Sequence, residues 1–168
     1  MTRDDLDDLL SYSEWATARL LDAAALDPEV WARDLGGSIP TVGGTLAHVV
    51  GSEWLWLQRW MGEAPTAAPT WIADPTPDGL REARADVERQ RAAFVDGLTD
   101  ADLDAPLTYT LFSGAVQTLP LREVLLHTAF HSMYHRGQVA SMLRRLGAAP
   151  PATDYLVYAV EQAGRPAA

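Results

Sequence analysis

"LREVLLHTAFHSMYHRGQVASMLRRLG" (121–147) places three of the chain's four histidines, His127, His131 and His135, each four residues from the next. Leu121, Leu125, Val139, Leu143 and Leu146 recur around them at helical spacing. This pattern predicts one long helix from Leu121 to Leu146, stopped by Gly147 and then by Pro150 and Pro151. Each residue turns about 100° around a helix, so the histidines drift by about 40° per step. On that wheel His135 lies nearest the apolar axis, His131 next and His127 nearest the edge.

The same periodicity recurs along the rest of the chain. Residues 4–25 carry Leu6, Leu9, Leu10, Ala16, Leu20, Leu21 and Ala24 on one side, with Asp4 and Asp5 suited to a helix N-terminus. Residues 45–62 put Leu46, Val49, Val50, Leu57, Trp60 and Met61 together, and 78–98 turn Leu80, Val87, Phe94, Val95 and Leu98 inward. The connections 27–44 and 62–77 are rich in Pro and Gly, the first with room for a short helical turn. "LTYTLFSGAVQTLP" (107–120) alternates around Ser113-Gly114, which predicts a small hairpin or extended arm. A short terminal helix follows Thr153 or Asp154 as its cap. No repeat and no domain boundary interrupts the pattern. The expectation is all-α: a single domain over 1–168, a four-helix bundle with crossover connections.

Composition narrows the chemistry. Apolar residues make up 48% of the 168, enough for a full core. Cysteine is absent, which removes disulfides, zinc–thiolate sites and cysteine nucleophiles together. All 13 basic residues are arginine, so no lysine is present for a Schiff base or a phosphate-binding loop. The formal net charge of −10 opposes a phosphate backbone, so no nucleic-acid partner is expected. No apolar run approaches the ~18 residues of a membrane span, and the opening "MTRDDLDDLLSYSEW" is acidic and amphipathic. A cytoplasmic location is the expectation. No GxSxG or GxGxxG occurs, which leaves serine-triad and dinucleotide chemistry without support.

A histidine pair at i, i+4 brings two imidazoles within reach of one ion. Three at this spacing do not converge, because the outer two are two turns apart. His131 and His135 are therefore assigned as ligands, and a third must come from another helix. Only His48 remains, beside Val49, Trp56 and Trp60, with small neighbours Gly44, Gly51 and Ser52 that would admit a second helix closely. The predicted metal site is His48, His131 and His135. Two surface histidines and one hydrogen-bonded core histidine would explain the residues singly. The inventory favours the metal: all four histidines fall in two predicted core helices and none in a loop. Three nitrogens without thiolate suit Zn²⁺ or Ni²⁺ and leave coordination positions open.

Other residues near the stripe carry two readings each. His127 is either a hydrogen-bonding neighbour one turn from His131 or a polar residue at the bundle edge. Gln138 either orients a ligand or is a helix-surface amide. Glu53 is either a buried base near the site or the partner of an arginine. Tyr134 either donates a hydrogen bond or packs in the core. Arg136 points away from the metal side and reads as structural or interfacial. Trp15, Trp54, Trp56 and Trp60 read as core and pocket wall.

"LLHTAFHSMYHRGQVASMLRRLG" followed by "PPATDYLVY" resembles the closing signature of the DinB/YfiT-like family of metal-dependent proteins. "YSEWATARLL" (12–21) is similar to that family's first helix, and "LAHVVGSEWLWLQRWMGEAP" (46–65) to the segment holding its first metal histidine. The family is unrelated to the translesion polymerase of similar name. The resemblance implies a four-helix bundle, often a homodimer, with His48, His131 and His135 around a divalent ion. Some relatives are S-transferases or isomerases that use a low-molecular-weight thiol such as bacillithiol or mycothiol; many have no established activity. Leu126, Phe130 and Met133 lie off the core side, as a homodimer surface would.

Two function classes follow. One is a metal-dependent enzyme acting on a small-molecule substrate, either a thiol-dependent S-transferase or a hydrolase. The chain's lack of Cys, Lys and a serine elbow means the attacking group would come from outside. The other is a metal- or ligand-binding stress protein without turnover.

Overall fold

The computed structural model describes residues 1–164; the last four positions of the expected domain lie outside the described residues. Four long helices form the bundle: α1 (Arg3–Ala24), α3 (Val42–Trp60), α4 (Pro77–Asp96) and α5 (Leu121–Arg145). The short helices α2 (Pro28–Ala32) and α6 (Tyr155–Ala163) accompany them.

Helix starts follow local chemistry. Thr2 and Asp5 form a reciprocal capping box on α1. The Thr41 hydroxyl accepts from the Gly44 N–H at the head of α3, and Thr76 does the same for Gly79 ahead of α4, with Pro77 in the first turn. Helix α5 begins after Pro120 without a side-chain cap; the Leu121 N–H donates instead to the Ala105 carbonyl at 3.0 Å. Its far end closes through Gly147 at φ +78°, with the Ala148 N–H reaching the Leu143 carbonyl at 2.9 Å.

Around the bundle α5 lies between α1 and α3, and α4 closes the opposite side between the same two. The α1-to-α3 connection crosses the bundle and carries α2, and the α4-to-α5 connection crosses it and carries the hairpin. The crossovers are thus two, and the long 62–77 connection joins the neighbouring helices α3 and α4. The hairpin pairs β1 (Pro106–Thr110) with β2 (Val116–Pro120) antiparallel, Pro106 opposite Pro120 and Thr110 opposite Val116, and turns through Gly114 at φ +82°. The alternation around Ser113-Gly114 had this meaning.

The core joins Leu6, Leu20 and Leu21 of α1, Leu46, Val50 and Leu57 of α3, Leu80 and Val87 of α4, and Leu125, Val139 and Leu143 of α5. Met61 departs from its expected inward place: it caps α3 and is exposed. The small residues of α3 also differ in purpose from the expectation. They admit segments of the connections on either side of α3, not another bundle helix. A Cβ on Gly51 would meet Ile72 at 2.6 Å, and one on Gly43 would meet the Trp31 ring at 2.4 Å. Trp31 is held there by a 2.9 Å hydrogen bond from its Nε1 to the Pro75 carbonyl.

Candidate metal centre

Helix α3 presents His48, and α5 presents His131 and His135 one turn apart. Packing of α3 on α5 brings the three together: one ring nitrogen from each lies within 4.8 Å of the others. The His48 and His131 Nε2 atoms face each other at 3.1 Å. The ring centroids are 5.2 Å apart for His48–His131, 4.4 Å for His48–His135 and 4.5 Å for His131–His135. Among the described residues no carboxylate joins the cluster. His135 is the most buried of the three, His48 and His131 are half-buried, and His127 is exposed, the order given by the helix wheel.

The donor set fits a divalent ion. Two facing Nε2 atoms cannot both act as acceptors toward each other, whereas both can direct lone pairs at one cation. His135 is oriented in the same way, because its Nδ1 donates to the Gln138 side-chain oxygen at 2.8 Å and leaves Nε2 free to ligate. Burial, followed by the neighbouring His135, pushes the His48 pKa down. The same causes, with His48 and His127 added, take His131 down to about 4. These two imidazoles are therefore neutral at pH 7, the form a metal requires.

The surrounding residues resolve into distinct roles. Gln138, exposed on the surface of α5, is both a surface amide and the residue that orients His135. His127 stands at the bundle edge, its ring edge-on to Trp56 at 5.0 Å and 5.6 Å from His131. Burial and then the Arg59 charge lower its pKa. Tyr134 does not pack in the core: it is 66% exposed and meets the His135 ring edge-on at 5.1 Å. Gly137 and Gln138, about one turn further on, are exposed as well, so this side of α5 faces outward.

Glu53 pairs with an arginine, the commoner of its two fates. It accepts a 2.7 Å hydrogen bond from Ser132 and lies 3.7 Å from the Arg91 guanidinium, both charges 2% exposed. Arg91 also pairs with Glu14 of α1. This chain of contacts links all four long helices beneath the histidines. Arg136 is structural within the chain: its Nη1 donates to the Ser13 hydroxyl at 2.6 Å, and its guanidinium lies 5.5 Å from the Tyr12 ring centre. Sequence periodicity could not find Ser132, which is one small polar residue whose importance comes only from facing Glu53 across the interface.

His48 opens onto a cleft of about 200 Å³ lined by Gly51, Ser52, Trp54, Leu55, Ile72 and Phe112. Trp54 and Trp56 do serve as walls, Trp56 in a second cleft of about 420 Å³ that it shares with Tyr109 and His127. No helix of the described residues is long and apolar enough to cross a membrane.

A helical bundle that gathers three histidines from two facing helices beside an open cleft defines a class of candidate metal-site proteins. Within that class the chain belongs to the DinB family, which its sequence matches over residues 1–165. It is 25% identical over 167 aligned positions to Protein DinB of Bacillus subtilis (strain 168), covering 89% of this chain and 91% of that protein. The crystal structure of a DinB-like protein from Bacillus cereus ATCC 10987 superposes with a TM-score of 0.64 at 22% identity, covering 90% of this chain and 97% of that one. That likeness supports the fold.

Proposed function

We propose that the protein is a divalent-metal-dependent enzyme whose ion is held by His48, His131 and His135, and that it transfers a low-molecular-weight thiol to a small electrophile. The observation that carries this reading is the cleft: the histidine cluster reaches a cavity with apolar walls through His48, where a structural ion would be enclosed by protein ligands. A divalent ion in the site, Zn²⁺ or Ni²⁺, would supply positive charge that lowers the pKa of a thiol or water brought to it. The chain's own residues do the rest. Gln138 fixes the His135 ring, and Trp54, Leu55, Ile72 and Phe112 give the cleft its apolar walls. The sequence carries no cysteine and no lysine, so the nucleophile comes from a cosubstrate.

The test titrates bacillithiol, mycothiol, glutathione and cysteine against Co²⁺-substituted protein and follows consumption of monochlorobimane. A thiol-dependent change in the cobalt spectrum with thiol-dependent turnover is expected. Hydrolysis of esters or amides without a thiol effect would make the protein a hydrolase. Neither signal would make it a non-catalytic binding protein.

We further infer a cytoplasmic homodimer. Phe130 and Met133 stand about half exposed on the outer side of α5, and Leu126 lies beside them. Light scattering at micromolar concentration should return twice the 18.3 kDa chain mass; a strictly monomeric mass removes this reading.

A further inference from the structure

Arg59 is 4% exposed, yet its guanidinium makes no ion pair among the described residues, and its Nε has no hydrogen-bond partner. The other deeply buried arginines have polar partners: Arg91 has Glu14 and Glu53, and Arg136 has Ser13 and Thr17. Arg59 has three aromatic rings instead. Its guanidinium carbon lies 4.6 Å from the Trp56 ring centre, 5.6 Å from Phe112 and 5.9 Å from Tyr109. Ring faces attract a cation but offer its N–H groups no oxygen acceptor, and the Arg59 Nε is enclosed without one. A buried cation in that state is an unused anion site.

Its place on α3 connects it to the histidines. His48, Ser52, Leu55 and Arg59 are spaced by four, three and four residues, which puts them on one stripe of the helix. The first three line the cleft of about 200 Å³. Arg59 folds back over Trp56, so its charge stands about eight residues from His48, roughly 12 Å along the axis. Phe112, which lines the cleft and covers the guanidinium, is 64% exposed on the hairpin turn and is the least enclosed of the three rings. Arg59 itself lines neither cleft: Phe112 stands between it and this one, which has no carboxylate among its lining residues, while Trp56 and Tyr109 stand between it and the neighbouring one, which Glu123 lines. The stripe thus offers an ion-type site at one end, apolar wall in the middle and an unpaired cation at the other.

We propose that Arg59 is the specificity residue of the histidine cleft, receiving the carboxylate of an elongated anionic substrate whose reacting end lies at His48, His131 and His135. The location of that reacting end rests on the metal-enzyme reading above; the anion seat itself stands on Arg59 alone. Binding requires Phe112 to move aside, after which the guanidinium fork takes both carboxylate oxygens.

The test uses hexanoate and its neutral counterpart hexanamide, followed by tryptophan fluorescence, since Trp56 lies against Arg59. Both metal-loaded and chelator-treated protein are titrated. Hexanoate is expected to bind saturably, at least about tenfold tighter than hexanamide, and to weaken with salt. Arg59→Met should remove that preference while hexanamide binding stays the same. If Arg59→Met does not fold, Arg59→Lys decides: it keeps a charge but loses the fork, and roughly tenfold weaker hexanoate binding is expected. Equal binding of the two probes, or undiminished hexanoate affinity in the folded variant, overturns the proposal. Selectivity present only with metal would place the carboxylate on the ion and also overturn it, leaving the metal reading intact. Selectivity in a protein that takes up no metal would support the anion seat and remove the metal reading.

Discussion

The Nδ1 of His135 lies 2.8 Å from the side-chain oxygen of Gln138, three residues later on the same helix. The bond spans less than one turn, fixes which ring nitrogen carries the proton and aims the other at His48 and His131. A conservative loss of that acceptor should leave the fold untouched and weaken metal binding. Gln138→Ala is expected to lower metal affinity about 10–100-fold in a chelator competition. Unchanged affinity would make Gln138 a surface amide only.

The choice along the histidine stripe has its own test. His131→Ala should abolish binding of one equivalent of metal by elemental analysis of untagged protein, while His127→Ala should retain it. His127 faces Trp56 and the bundle edge, outside the cluster of three. Retention in His131→Ala with loss in His127→Ala would reverse the assignment.

Beneath the site, Glu53 and Arg91 form an ion pair that is nearly inaccessible to water. Removing one charge strands the other. Glu53→Ala is expected to cost about 3–5 kcal/mol in urea unfolding. Ser132→Ala, which leaves one carboxylate oxygen without its donor, should cost less, about 1–3 kcal/mol. A smaller loss for Glu53→Ala than for Ser132→Ala would contradict the network.

Two helical glycines should respond with opposite sign. A methyl on Gly43 collides with the Trp31 ring, so Gly43→Ala should destabilise by about 1–3 kcal/mol. Gly137 has nothing within 4 Å of a Cβ, so Gly137→Ala should stabilise α5 by about 0.5–1 kcal/mol. Thermal melts of both variants read this directly. Destabilisation by Gly137→Ala would overturn the helix-propensity argument at that position.

Alkali should loosen α6 from α1. Burial, with Asp8 beside it, raises the Tyr158 pKa from 10.0 to about 12. Tyr158 donates to Asp8 at 3.2 Å and Tyr155 does so at 2.6 Å. A raised folded-state pKa means that the unfolded chain loses its proton first. The stabilisation is therefore complete below pH 10 and lost between 10 and about 12. Tyr158→Phe should flatten stability over that window; an unchanged alkaline slope would count against the cause.

By itself the sequence determined the four long helices, the hairpin and which histidines belong together. Each of these rests on periodicity or turn chemistry, which act between residues a few positions apart. His135, His131 and His127 descend in burial as the wheel requires, and His48 was the only remaining donor of its type. The resemblance carried by the closing segment agreed with that choice. What a helix wheel does not contain is the identity of the facing surface. Ser132 and Glu53 lie 79 positions apart and meet at 2.7 Å only because α3 packs on α5. Gly51 faces Ile72, and Tyr134 faces solvent, because the α3-to-α4 connection folds back over one side of α3 and nothing among the described residues covers that part of α5. Arg59 is unpaired for the same reason: the α4-to-α5 crossover brings Tyr109 and Phe112 over it and no carboxylate. Pairing between distant residues is decided by which loops cross the bundle, and that is fixed only when the whole core closes.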